Sequence, residues 1–207
     1  MTPPLHFSAV ELAALHDRAT ALWHEKPNSD PPAAERFYSI ALAQHRANFD
    51  LWHVEDRARD PRASDTDIAS VKRAIDEINQ LRNDLAEQCD CLLLDHATGN
   101  PGRGGGPDPN APLNSESPGL IIDRLSILAL KIFHTLEEIS RSTAPPGHAE
   151  RNRERLTLLT EQRSDLVACL DQLWSDVLAG RRRFKIYRQL KMYNDPTLNP
   201  SIYGCQR

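Results

Sequence analysis

The chain has 207 residues, a formal net charge of −4, and 26% charged against 40% apolar residues. That is enough sequence for one domain with a real core, and the acidic balance gives no global field to recruit nucleic acid, so any basic site has to be local. No apolar run approaches the ~20 residues needed to span a bilayer, and Met1-Thr2-Pro3-Pro4-Leu5-His6 lacks the basic and apolar regions of a secretory signal.

Five helices and no strand are predicted. The first opens at Ser8, where Ser8 and Glu11 have the spacing of a capping box and Phe7 and Leu12 that of a hydrophobic staple. It runs to about Glu25. The second starts after Asp30, with Pro31 suited to the first helical position. It continues to Asp60, because Pro61 forbids continuation. At ~100° per residue, Tyr38, Ala41, His45, Asn48, Trp52, Asp56 and Arg59 fall on one stripe about 80° wide. Glu55 borders this stripe and His53 lies further round. The stripe holds the groups for a general base, a metal-ligand pair or an anion clamp. It equally suits a core polar network, with Trp52 packing and His45, Asn48, Asp56 and Arg59 bonded to neighbouring helices.

The third helix opens at Ser64, with Asp67 near its N-terminal dipole, and runs to about His96. Ile68, Val71, Ile75, Ile78, Leu81, Leu85, Cys89 and Leu92 recur in steps of three and four and mark its apolar face. Lys72, Asp76, Asn79, Asn83, Glu87 and Asp90 form a polar line ~140° away. Most simply that line is a solvated outer face. Yet Asn79 and Asn83 are weak helix formers, and with Glu87 they stand at i, i+4 and i+8, where their oxygens can converge on a cation or ligand. Cys89 and Cys91 point to different sides and make a poor metal pair. With Cys169 and Cys205 they follow no disulfide framework, and read as reduced thiols of a cytoplasmic protein.

Thr98 to Gly119 holds six of the nine glycines and five of the fifteen prolines. This is the composition of a flexible crossover, either a plain linker or a lid. The fourth helix follows Ser117-Pro118 and spans about Gly119 to Ser140. It is apolar nearly all round, which makes it central. Asp123, His134 and Glu138 nevertheless share a narrow arc, with Lys131 beside them. Charges on a central helix are costly unless paired, and a second-helix arginine or histidine is the expected partner of Asp123. His134 fits an ordinary core histidine as well as a catalytic one. The fifth helix runs from about Ala149 to Ala179, with Gly180 as its stop. The tail, 181–207, interleaves Arg181, Arg182, Arg183, Lys185, Arg188 and Lys191 with Phe184, Tyr187 and Tyr193. It suits phosphate binding or base stacking. It suits equally well dipole compensation for the fifth helix, or packing of aromatics on the bundle.

These elements make one domain over residues 1–207, an all-α bundle of five mostly antiparallel helices with its long crossover at 98–118. Three blocks carry a family resemblance. They are Asn48-Phe49-x-Leu51-Trp52-His53-x-Glu55-Asp56-x-Ala58-Arg59, then Ser117-Pro118-Gly119-Leu120-Ile121-Ile122-Asp123-Arg124-Leu125-Ser126-Ile127-Leu128, and then Lys191-Met192-Tyr193-Asn194-Asp195-Pro196 with Leu198-Asn199-Pro200. In this order they resemble a family of bacterial proteins known as a domain of unknown function. The resemblance implies a bacterial source and no particular activity.

Three functions from different classes fit the residues. The first is a binding or interaction module whose helices meet across a polar seam, its partner a protein or a phosphate-bearing small molecule. The second is a divalent-metal-dependent hydrolase of a nucleotide or other phosphate ester, using magnesium or manganese. Its catalytic candidates are His45, Glu55, Asp56, Asp123 and His134, and its metal candidates Glu55, Asp56, Glu87 and Asp90. Its ligand-binding candidates are Asn48, Trp52, Arg59, Asn79, Asn83, Lys131, Arg188 and Lys191. Helical nucleoside-triphosphate pyrophosphatases hold magnesium with paired Glu-x-x-Glu and Glu-x-x-Asp helices. Glu87-Gln88-Cys89-Asp90 is similar to the second half, and only Glu55-Asp56 stands in place of the first. The third, nucleic-acid binding through the basic tail, ranks last on an acidic chain. An exposed apolar face would serve a homodimer. There is no P-loop, no His-Glu-x-x-His and no nucleophile elbow. A solvent-open cavity lined by Glu55, Asp56, Glu87, Asp123 and His134 would favour the hydrolase, and a closed, mutually bonded seam the binding module.

Overall fold

The computed structural model describes residues 6–33, 35–99, 108–188 and 197–198. Among them lie five helices, α1 (Ala9–Glu25), α2 (Arg36–Ala58), α3 (Asp65–Thr98), α4 (Pro118–Ser140) and α5 (His148–Leu178). None is long and apolar enough to cross a membrane. Local chemistry sets several ends. The Ser8 hydroxyl accepts the Glu11 N–H at 3.3 Å. Ser64 and Asp67 form a reciprocal capping box. Pro118 opens α4, and Gly147 turns the chain into α5 at a φ of 77° that a side chain would strain.

α2 and α3 form one antiparallel hairpin, α4 and α5 another. Contacts between distant residues fix the remaining directions. His16 stacks on His45, and His24 lies against His53. Gln44 bonds Asp123, and Trp52 stacks on His134. Residue numbers rise together in both sets, so α1, α2 and α4 run parallel. α5 opposes α1, where Asp171 accepts the Ala9 N–H at 2.8 Å and Arg163 pairs with Asp17 at 2.7 Å. α3 opposes α4.

The parallel course of α1 and α2 corrects the expected start of α2. Before α2 can begin, the chain must travel back along the 17 residues of α1, a length of about 26 Å. Residues 26–33 make this return without helix, so Pro31 is spent in the connection. The segment is anchored where Trp23 Nε1 donates to Asp30 at 2.9 Å and Arg46 donates to the Pro27 carbonyl at 2.8 Å.

Two adjoining apolar clusters form the centre. Leu12, Phe37, Leu93, Ile122, Leu125 and Leu170 belong to the first, and Leu15, Trp23, Phe49 and Leu130 to the second. α3 departs from its sequence pattern. Leu81 is 51% exposed, while Asp90, on the polar line, is 4% exposed. The long helix meets α4 only toward its C-terminal end, so the side it buries changes along its length. There the chains come so close that a Cβ on Gly119 would sit 2.3 Å from the Ala86 carbonyl oxygen and 2.9 Å from the Asp90 carboxylate.

Asp90 caps the N-terminus of α4 from the neighbouring helix. Its carboxylate accepts the Gly119 N–H at 2.6 Å and a bond from the Ser117 hydroxyl. Burial pushes this carboxyl up to about 6, against the pull of those two bonds. The unfolded value is about 3.9, so the folded state binds the proton more tightly and stability is lost as pH rises from about 4 to about 6. Asp90→Asn keeps an oxygen for Gly119 and removes the charge. We expect it to gain up to about 3 kcal/mol on wild type between pH 4 and pH 6.5 in urea unfolding. A constant difference across that range would contradict the assignment.

Ten residues of the crossover, 108–117, lie among those described, while 100–107 do not. The described part is tied to the start of the tail. Asn114 N–H donates to the Arg183 carbonyl at 2.8 Å, and Arg183 N–H to the Pro112 carbonyl at 3.1 Å.

Candidate metal centre

The polar residues of α2 divide between two sides of the helix. One side forms a closed seam. Asn48 Nδ2 donates to Asp123 and to Ser126 Oγ, both at 2.9 Å. Ser126 Oγ stands 2.7 Å from His45 Nδ1. His45 Nε2 reaches Thr20 Oγ1 at 2.9 Å and the His16 carbonyl at 3.0 Å. Because Thr20 spends its own proton on the His16 carbonyl, this network assigns the His45 proton to Nε2 and makes Nδ1 an acceptor. Asp123 also accepts Gln44 Nε2 at 2.5 Å and faces Arg82 Nε at 3.3 Å. The cation beside Asp123 therefore comes from α3, and α2 contributes amides in place of the expected arginine or histidine. Complete burial drives the His45 pKa well below its usual value, and that of His16 down to about 3. Both are neutral rings without access to water, which removes His45 as a solvent-facing base.

The adjacent face of α2 meets the same two helices, α1 and α4, nearer their C-terminal ends. Here His24 of α1, His53 of α2 and His134 of α4 converge. One ring nitrogen from each lies within 4.8 Å of the other two, the one group of at least three histidine, cysteine or acidic side chains with metal-binding geometry among the described residues. In every ring Nδ1 is already engaged. That of His24 meets the Thr20 carbonyl at 2.7 Å, that of His53 the Phe49 carbonyl at 2.8 Å, and that of His134 the Glu137 carboxylate at 2.7 Å. Carbonyl and carboxylate only accept, so the Nδ1 protons are fixed and three Nε2 lone pairs remain. The Nε2 atoms of His24 and His134 are buried without a partner. Burial, reinforced by the two neighbouring imidazoles, lowers the His24 pKa against its bond to Thr20. It is thus a neutral donor near pH 7. Phe133 stacks on His24 at 4.3 Å and Trp52 on His134 at 4.9 Å, which restrains both rings.

A point equidistant from three atoms 4.8 Å apart lies about 2.8 Å from each, and zinc takes nitrogen at about 2.1 Å. Closure on an ion therefore needs each ring to move less than about 1 Å. Outer-shell acceptors on all three Nδ1 atoms are what imidazole ligands need to hold their tautomer and orientation. Three nitrogens suit zinc, cobalt, nickel, copper or ferrous iron, and do not suit the magnesium or manganese expected of a carboxylate site.

The remaining candidates stand apart. Glu55 and Asp56 are at the surface, paired with Arg59 at 3.0 and 3.6 Å and away from the histidines. Asp90 lies at the other end of α4, and Glu87 is half-buried one turn before it. Asn79 and Asn83 are half-buried on α3, and Lys131 is exposed. The predicted carboxylate set thus forms no common site. In the tail, Arg181 is held by Asp176, Arg182 by Asn114 and Arg183 by the Ala111 carbonyl. Phe184 is buried in the core. Arg188 is exposed, and Lys191 falls outside the described residues.

Of the three histidines the sequence singles out only His134. His53 lies off the chosen stripe, because the seam and the histidine cluster use adjacent faces of α2, both turned toward α1 and α4. His24 belongs to no motif. The usable signal was a histidine near the C-terminal end of each of three helices, which acquires meaning only once those helices are known to be parallel. No curated protein and no solved structure matches the chain. Residues 38–186, which carry His53, His134 and the whole of the Asp123 seam except its α1 side, match the family described as "Protein of unknown function (DUF4254)", and the chain belongs to that family.

Proposed function

We propose that this protein binds one divalent transition-metal ion of the zinc class through Nε2 of His24, His53 and His134. The observation that carries the reading is the engagement of all three Nδ1 atoms by acceptors, which leaves the three Nε2 lone pairs free in rings whose nitrogens come within 4.8 Å of one another. Three protein ligands leave a position for water or an exogenous group, the coordination pattern of a reactive centre. The closed seam around Asp123 holds the helices that carry the ligands and takes no part in the chemistry. A cytoplasmic setting is part of the proposal, supported by the free thiols of Cys89, Cys91 and Cys169.

Cobalt is the test ion, because its visible bands report nitrogen coordination. One equivalent of cobalt should bind at micromolar protein. Zinc at a hundredfold excess over its Kd should raise Tm by about 5–10 °C. His24→Ala, His53→Ala and His134→Ala should each weaken cobalt binding by at least about a hundredfold, while magnesium should leave Tm unchanged. Cobalt binding that survives the triple alanine variant would overturn the assignment.

A further inference from the structure

The face that α1 turns into the bundle is not uniformly apolar. Among Leu12, Leu15, Ala19 and Trp23 it carries His16 and Thr20, both 0% exposed. His16 stacks on His45 of α2, with ring centroids 4.4 Å apart and planes at 28°. Neither ring nitrogen of His16 has a hydrogen-bond partner among the described residues. A buried polar ring that bonds nothing costs stability, and an apolar side chain of that size would avoid the cost. What the ring adds is a proton site that is reached only when the helix lifts.

Charge has no place in this layer. His45 Nδ1 receives the Ser126 hydroxyl proton at 2.7 Å, and His45 Nε2–H meets Thr20 Oγ1 at 2.9 Å. The charged groups around the pair are engaged elsewhere. Asp123 of α4 is bonded to Gln44 and Asn48 and faces Arg82 of α3. Asp17, beside His16 on α1, binds Arg163 of α5 through both oxygens. Arg46 of α2 lies over Trp23 and pairs with Asp50. Two stacked imidazolium rings would also repel each other. Burial pushes the His16 pKa down to about 3, and burial together with His16 lowers that of His45.

Once the rings reach water, both values return to about 6.5. Stability of the closed state is therefore full above about pH 6.5 and is lost as pH falls toward about 3. Lifting α1 alone wets both rings, since His16 leaves with it and His45 is uncovered on that side. Asp90 works in the opposite sense, because acid strengthens the contact it makes between α3 and α4. Falling pH thus loosens α1 while it tightens the body that α1 packs on. Thr20 links this layer to the three histidines, for its hydroxyl meets His45 and its carbonyl accepts His24 Nδ1–H.

We propose that α1 is an acid-released latch on the α2–α5 body, opened by proton uptake on His16 and His45. The second half of the proposal rests on the metal-binding reading above. His24 leaves with α1, so opening the latch empties the metal centre.

Hydrogen exchange of the metal-free full chain, read peptide by peptide, tests the latch. After correction for the intrinsic pH dependence of exchange, α1 should open more at pH 5 than at pH 7, by about 25-fold for one ring and about 600-fold for two. Peptides of α4 and α5 should keep their protection. His16→Phe keeps a flat stacked ring that takes no proton, so its acid response should fall to that of one ring. His16→Leu also loses no side-chain hydrogen bond, should respond alike, and serves if the phenyl variant does not fold. An α1 whose exchange ignores pH, protection lost from all helices together, or variants as acid-responsive as wild type would each overturn the latch. Cobalt reads the second half. Visible bands present at pH 7 should fade at a pH about 0.5 unit higher in wild type than in His16→Phe. Equal midpoints would overturn the coupling and leave the latch intact, since protons would then compete at the ligands alone. Absence of bands at pH 7 would overturn the metal reading itself, with the exchange result still deciding the latch.

Discussion

Gly119→Ala is expected to destabilise the protein by about 3 kcal/mol, lowering Tm by about 6–12 °C. The added methyl would meet the Ala86 carbonyl oxygen at 2.3 Å. That atom belongs to helical backbone and cannot swing aside, so α4 has to lift from α3. Lifting it stretches the 2.6 Å bond from Gly119 N–H to Asp90. It also leaves a buried carboxylate without one of its two donors. Alanine improves helix propensity by about 1 kcal/mol, which is too little to reverse the sign. Urea unfolding of the two proteins decides the matter, and a variant as stable as wild type would mean that the helices do not cross this closely.

The second large effect is expected at Asp123. Its carboxylate serves Gln44, Asn48 and Arg82 together. Asp123→Ala strands a cation and two amides between helices, and a broken buried pair of this kind costs about 3–5 kcal/mol. Replacing both charged partners is gentler than removing one. Asp123→Ala combined with Arg82→Met should therefore recover about 1–2 kcal/mol relative to Asp123→Ala alone. If the losses simply add, Arg82 and Asp123 are not coupled and the seam is held by the amides.

The five helices were legible because periodicity and caps are local. Ser8 with Glu11, Ser64 with Asp67, and Pro118 each mark an end that a few neighbouring residues determine. Directions were not legible, since nothing near Pro31 records that the chain must retrace α1 before α2 can form. The site suffered from the same gap. Asn48, His45 and Asp123 stand out on helical stripes and arcs, and they belong to a packing network. His24 carries no motif, and His53 stands in the first block but off the stripe. Their chemistry is created by three helices ending side by side, a relation between distant segments that no single-helix projection contains. Asp90 misled for a related reason. Projected on an isolated helix it faces water, but α4 covers it by bringing a glycine where any other residue would hold the helices apart.

The family match begins at residue 38, and α1 ends at Glu25. A shortened protein cut to the matched segment would omit Leu12, Leu15, Ala19 and Trp23, each no more than 3% exposed, and would open the apolar surface around Ala41, Leu42 and Leu130 that they cover. It would also lose His24, and with it one of three ligands. Such a fragment should aggregate and bind cobalt weakly, whatever the full chain does. For expression, crystallisation or comparison with relatives, the workable unit starts ahead of Ser8, and the helix that sequence similarity leaves out is the one that closes the proposed metal centre.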